Sequence, residues 1–299
     1  MFGNTAGGSR RGGTNFHMNF GGGFPGGGGF PGGEGGFGGF QQQHHQQQRA
    51  PQELFSKSSS PGISILSESK FPDASSKFLW LVFFYANDSP ESTRMKPHVE
   101  KLATSALKGS FKVGVINCKL NARESYFCRR QGINIQNLPT FGVVAEGEIY
   151  KYDQHSQPSV KELYDFAIGK IPYHLVAVIN HPEAIEDRLL GPMRKESQKI
   201  GSILLLTDKY ETSPLYASIA YQYRHIFTFG ESRGKTLSMA KQFQVKKYPL
   251  LIAFIPTVVN KKKSEVADII RLENVKADEI GKWIEELMAK FGSSEKKKR

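Results

Sequence analysis

The sequence predicts an α/β protein: tandem layered domains, each a central mixed β-sheet flanked by helices, behind a disordered Gly/Phe-rich N-terminal segment. Three observations predict it. The run at residues 78–85, Phe-Leu-Trp-Leu-Val-Phe-Phe-Tyr, is continuously apolar and suits a central strand covered on both faces. Strands and helices then alternate in an order that repeats once. Before them, residues 1–40 hold 18 of the 31 glycines and seven phenylalanines, a composition too poor in aliphatic side chains to offset the entropy of ordering the backbone. The expected division is 1–60 disordered, 61–170 and 171–292 folded, and 293–299 a basic disordered tail.

Each element has its own signal. Residues 1–40 alternate phenylalanine with glycine runs and pass into Gln41 to Gln48, interrupted by His44-His45, which is a linker composition. A lone His pair lacks further ligands, and Arg11-Gly12-Gly13 is one triplet of a kind common in glycine-rich tracts, so neither marks a metal or RNA site. After the central strand and Ser89-Pro90, proline in the first turn starts a helix with Met95, Val99, Leu102, Ala103 and Ala106 on one side. A strand at 111–116 and a short helix at 121–131 follow. Residues 140–144 and 148–152 form a hairpin about Glu146-Gly147, and 159–168 is a closing helix. The second round has strands at 175–179, 202–206 and 226–229, with helices at 182–198 (broken at Gly191-Pro192), 214–223 and 236–243. Residues 250–254 and 266–270 pair, and 277–291 closes with Ile280, Ile284, Leu287 and Met288 at helical spacing.

Composition excludes several function classes. The 299 residues carry a net charge of +12, but the runs Lys246-Lys247, Lys261-Lys262-Lys263 and Lys296 to Arg299 fall at turns or at the end, not on one face with interleaved aromatics, which argues against a nucleic-acid partner. No stretch approaches the roughly 18–20 apolar residues of a membrane span. Cys118 and Cys128 are too few for a zinc site or a disulfide scaffold, and neither a metal nor any other cofactor is expected. Met1 is not followed by a basic and then an apolar region, so the chain as written shows no secretory signal. Lipase-type, zincin and P-loop motifs are missing. Gly230-Glu231-Ser232-Arg233-Gly234-Lys235-Thr236 imitates a P-loop, but with three residues between its glycines instead of four.

Phe83-Phe84-Tyr85-Ala86 leading into a turn and helix, then Asn137-Leu138-Pro139-Thr140-Phe141 entering a strand, resembles the thioredoxin superfamily, in particular protein disulfide isomerase domains. The resemblance covers about residues 62–292. It places the two catalytic cysteine positions of that family on Ser89 and Ser92, and the family's pre-strand proline, usually cis, on Pro139. Lys247-Tyr248-Pro249-Leu250 takes the same place in the second domain, whose site turn around Asp208 to Pro214 also lacks cysteine. Serine neither ionises near neutral pH nor forms a disulfide, so exchange through this site is not expected. Redox-active relatives also carry a buried acid two residues before Tyr-Ala, where this chain has Phe83. Cys118 and Cys128 are similar to cysteine pairs in some relatives. They are a candidate structural disulfide, with two buried thiols or a reactive pair as alternatives.

A Gly/Phe segment followed by thioredoxin-like domains is also similar to J-domain co-chaperones of the endoplasmic reticulum, including the plant type. Their His-Pro-Asp signature is absent. His181-Pro182-Glu183 follows a strand and reads as a helix start. What this resemblance implies is a non-enzymatic folding factor, the client-binding or adaptor part of a longer co-chaperone lacking its J-domain here. The partners it implies are unfolded polypeptides and a BiP-type chaperone, in the endoplasmic reticulum lumen. If Met1 is the natural start, the expectation becomes a free-standing, redox-silent cytoplasmic module. The third alternative is a weak thiol-disulfide enzyme using Cys118 and Cys128. Expected groove residues are Asn87, Asp88, Ser89, Pro90, Leu138 and Pro139, beside which an extended peptide lies by main-chain hydrogen bonds. Asn87-Asp88-Ser89 also fits the glycosylation sequon, with an unfavourable Pro90 after it.

Overall fold

A computed structural model describes residues 53–106, 109–153, 157–259, 262–273 and 275–292. The Gly/Phe segment, His44-His45, the Arg11 triplet and the tail at 293–299 lie outside the described residues.

Two five-stranded mixed sheets form, with the same topology. In the first, β1 (Ile63–Ile65), β2 (Trp80–Tyr85), β3 (Lys112–Asn117), β4 (Thr140–Ala145) and β5 (Glu148–Lys151) lie in the order β1-β3-β2-β4-β5. The pairs β1·β3 and β2·β3 are parallel, while β4 and β5 join antiparallel, so Phe83 stands between Val115 and Phe141. In the second, β6 (Val176–Val178), β7 (Gly201–Leu206), β8 (Phe227–Ser232), β9 (Leu250–Val259) and β10 (Lys262–Leu272) lie in the order β10-β9-β7-β8-β6. This is the thioredoxin-like arrangement, present twice.

The continuous apolar runs are central strands because both of their faces are covered. Leu81, Phe83 and Tyr85 point into one cluster and Val82 and Phe84 into the other, as the two-residue period requires. Ile203 and Leu205 against Leu204 and Leu206 repeat this in β7. Each such fully buried side chain contributes about 1.5–3 kcal/mol relative to exposure.

Helices α1 (Pro90–Ala106), α2 (Ala122–Arg130) and α3 (Val160–Ile168) flank the first sheet. Asn121 caps α2, and Ser159 with Glu162 forms a capping box on α3. Around the second sheet are α4 (Gly191–Lys195), α5 (Pro214–Tyr223), α6 (Leu237–Gln242) and α7 (Ala277–Phe291). The helix expected at 182–198 is a π-helical turn at Glu186–Leu190 followed by α4, because Pro192 cannot donate to a continuing ladder. The hairpin turns at Glu146 and Gly147, both with positive φ (54° and 85°), a geometry that matches strand twist.

Three further features differ from expectation. The three-residue strand β1 is too short to show a period. Strand β8 runs on to Ser232 through polar residues. Ordered packing also begins before Pro61: Phe55, 2% exposed, meets Phe83 and Tyr85 edge-on at 6.0 and 5.2 Å.

Helix α5 belongs to both halves. Tyr216, Ile219 and Ala220 enter the second core, while Ala217 and Tyr221 complete the first. Tyr221 Oη accepts from the Glu146 N–H at 2.9 Å, and Ser218 Oγ meets the Gly109 carbonyl at 3.3 Å. Arg224 donates to the carbonyls of Ala74 and Ser76 at 3.0 and 3.2 Å.

Candidate functional site

The candidate site lies where β2 turns into α1. Ser89 holds three segments together. Its Oγ accepts from the Ser92 N–H at 3.2 Å, as an N-cap does, and its hydroxyl proton faces the Leu138 carbonyl and the Glu91 carboxylate, each at 3.3 Å. Ser92 is fully buried, and its Oγ accepts from the Ala86 N–H at 3.3 Å, satisfying the first donor past β2 as the chain turns. The Leu138-Pro139 peptide bond is cis, as is Tyr248-Pro249. The Ser89–Leu138 bond makes two residues far apart in sequence neighbours at a turn whose Asp88 and Pro90 are exposed, while the half-buried Leu138 packs its side chain on the cluster of Val82, Phe84 and Phe127. Asn87 Oδ1 accepts from the Leu54 N–H at 3.0 Å, and Asp88 pairs with Lys119 at 3.4 Å.

Beneath the turn, the position of the family's buried acid is aromatic. Phe83 is stacked with Tyr85 at 5.8 Å and packs on Phe141 at 4.8 Å. Tyr85 reaches Glu53 with its hydroxyl at 3.2 Å, and burial, with the Glu53 charge beside it, pushes that phenol well up. At the turn itself the chain offers hydroxyls and main-chain groups where a dithiol enzyme has sulfur.

Cys118 and Cys128 are joined, S–S 2.04 Å, tying the end of β3 to α2. Both are 0% exposed, within the cluster of Val82, Phe84 and Phe127. An attacking thiolate therefore has no open path to either sulfur in this structure. The bridge lies on the opposite side of β2 from β4 and Pro139. Among the described residues no group of three or more His, Cys, Asp or Glu could hold a metal, and no helix is long and apolar enough to cross a membrane.

The second domain's turn is built differently. Ser213 caps α5 by accepting from Tyr216 N–H at 3.2 Å. Ahead of it, Thr212 Oγ1 and Arg233 Nε both donate to Glu231 Oε1, and Arg233 Nη2 donates to Thr212. Glu231 is fully buried, and with burial itself its charge raises the Tyr216 phenol. Sequence reasoning missed this cluster because it ended the strand at Phe229. The available signal was a Glu and an Arg two residues apart directly after an apolar strand.

No protein-family model matches the chain. A protein disulfide-isomerase candidate of Dictyostelium discoideum is 28% identical over 182 residues, covering 58% of this chain and 41% of that protein. Among solved structures, ERdj5 form II superposes with a TM-score of 0.53 at 20% identity, over 76% of this chain and 30% of that one. Human ERp44 form I has a TM-score of 0.32 at 17% identity, over 75% of this chain and 55% of that one. The chain thus spans less than half the length of the curated relative it matches, and the ERdj5 superposition matches the tandem thioredoxin-like fold.

Proposed function

We propose that the chain is the client-binding or adaptor part of a J-domain co-chaperone, without redox chemistry at its thioredoxin-like turns. It would hold extended segments of unfolded polypeptide in the endoplasmic reticulum lumen, beside a BiP-type chaperone recruited by the J-domain. The observation that carries this is Ser89, which uses its hydroxyl to cap α1 and to bind the Leu138 carbonyl, where a dithiol enzyme needs a thiol. Around it, Asn87, Asp88, Pro90 and Pro139 leave a half-open edge beside a cis peptide bond, suited to an extended main chain. The likeness to ERdj5 supports the architecture, and the co-chaperone role is drawn from the order Gly/Phe segment, then thioredoxin-like domains.

The test is fluorescence anisotropy of the full chain with a labelled, carboxymethylated unfolded protein. Leu138→Arg and Pro90→Glu should each weaken binding about tenfold, that is about 1.4 kcal/mol. Unchanged affinity in both rejects the groove.

A second reading, thiol-disulfide exchange through Cys118 and Cys128, is favoured by the bridge itself and by the name of the Dictyostelium relative. Burial of both sulfurs weighs against it. Insulin reduction above background that disappears in Cys118→Ala would establish it, and background turnover would close it.

A further inference from the structure

A cavity of about 390 Å³ opens on the other side of the same sheet end, away from Pro139. Its walls come from the segment at Glu53 to Lys57, from β1 and from the loop between β3 and α2. The floor is apolar, with Phe55, Leu66 and Tyr85, and Ile65 (38% exposed) and Leu120 (55% exposed) stand at its mouth.

Its polar groups are unusual. Glu124, 6% exposed, lines the cavity, and its carboxylate accepts only the Glu68 N–H, at 3.1 and 3.4 Å. Among the described residues no cation lies within 4 Å of it; Arg123 and Arg130 are engaged with Glu68, and Arg123 acts on Glu124 only at longer range. A buried carboxylate is ordinarily paired. Glu53 adds a second carboxylate, held by Tyr85 and by Asn117 Nδ2 at 3.3 Å through Oε2. Lys57 also lines the wall and pairs with neither. An occupant complementary to this cavity is apolar in body and cationic at its head.

We propose that the cavity is a second client subsite, taking an apolar side chain next to a lysine or arginine. The apolar group would lie on Phe55, Leu66 and Leu120, and the cationic head against Glu124 and Glu53. This rests on the view of the chain as a binder of extended polypeptide, and it adds a sequence preference that the Pro139 groove, with its main-chain contacts, does not supply.

The test uses the full chain and two labelled peptides in a Gly/Ser background, one with a Leu-Arg pair and one with Leu-Glu. The Leu-Arg peptide should bind about tenfold more tightly, with the preference shrinking at high salt. Glu124→Gln, which keeps an acceptor for the Glu68 N–H, should erase the preference, and exposed Glu53→Gln should halve it or more. Leu120→Ser should weaken both peptides about threefold. A preference that survives both Glu variants overturns the proposal, as does Leu120→Ser with unchanged affinity. If Pro90→Glu alone abolishes binding, the groove stands and the cavity falls. If the cavity variants weaken binding and Pro90→Glu is silent, the reverse holds. No binding of either peptide to millimolar concentration removes both.

Discussion

The turns at the heads of the two central strands are built in opposite ways. After β2 the turn is open: Asp88 and Pro90 are exposed, Ser89 and Ser92 hold it through main-chain hydrogen bonds, and its charged contacts lie at the surface. After β7 the turn is locked by Thr212, the buried Glu231 and Arg233, and the helix that follows it is covered by the first domain through Ala217 and Tyr221. Topology places a site at the same point twice, and local chemistry leaves only one available. On the proposed function, the first domain would bind and the second support it.

The largest test of that contrast is Tyr221→Ala, expected to cost about 3–5 kcal/mol in urea denaturation because it empties the first core from the second domain's helix. Tyr221→Phe should cost about 1 kcal/mol for the lost Glu146 bond. A loss below about 1 kcal/mol for the alanine variant would mean the two domains stand independently. Next is Arg233→Ala, expected to cost about 3 kcal/mol by leaving Glu231 buried without its cation. Arg94→Ala, beside the open turn, removes an exposed pair with Glu91 and should cost within about 0.5 kcal/mol. Equal effects would erase the distinction between locked and open turns.

The bridge sharpens the comparison from another side, since both cysteines lie in the first domain. Removing it with Cys118→Ala and Cys128→Ala should cost about 2–3 kcal/mol. Hydrogen exchange should rise in α2 and β3 while β7 and β8 stay protected, and equal loss in both domains would contradict this. Ser92→Ala should cost about 1–2 kcal/mol by orphaning the Ala86 N–H, and Ser89→Ala about 1 kcal/mol as a lost cap, both read from the thermal midpoint. The smallest effect concerns pH. Hydrogen bonds from Ser159 hold the Glu162 carboxyl below its ordinary 4.5, so its contribution is complete above that value and is lost as pH falls through the lower folded one. Glu162→Gln should flatten the acid limb of the stability profile, and an unaltered limb would remove the capping box from the account.

Much of the fold was legible because the central strands are apolar without interruption. The runs through Phe83 and Leu204 could be read from composition alone, and Glu146-Gly147 marked its hairpin. The two serines and two prolines of the site followed from family resemblance. Their hydrogen bonds did not, because Ser89 and Leu138 meet only through the sheet. Strand β8 was cut short because Glu231 and Ser232 look like loop residues until Thr212 and Arg233 are brought to them. Helix α5 did carry a signal: Leu215, Tyr216, Ala217, Ile219, Ala220 and Tyr221 leave it no polar face, and a helix apolar all round is covered all round. Phe55 had none, being one aromatic residue next to a polar stretch.

The sharing of α5 has a consequence for synthesis. The first domain's last helix ends at Ile168, yet the side chain that completes its core is Tyr221. At about 5–20 residues per second, that surface stays uncovered for several seconds on the ribosome. A chain that stops between those points keeps it bare. Released chains ending at residue 170 should therefore be cut by protease within the first domain, and chains extending past residue 230 should resist, if this domain becomes protease-resistant only after its neighbour has been made.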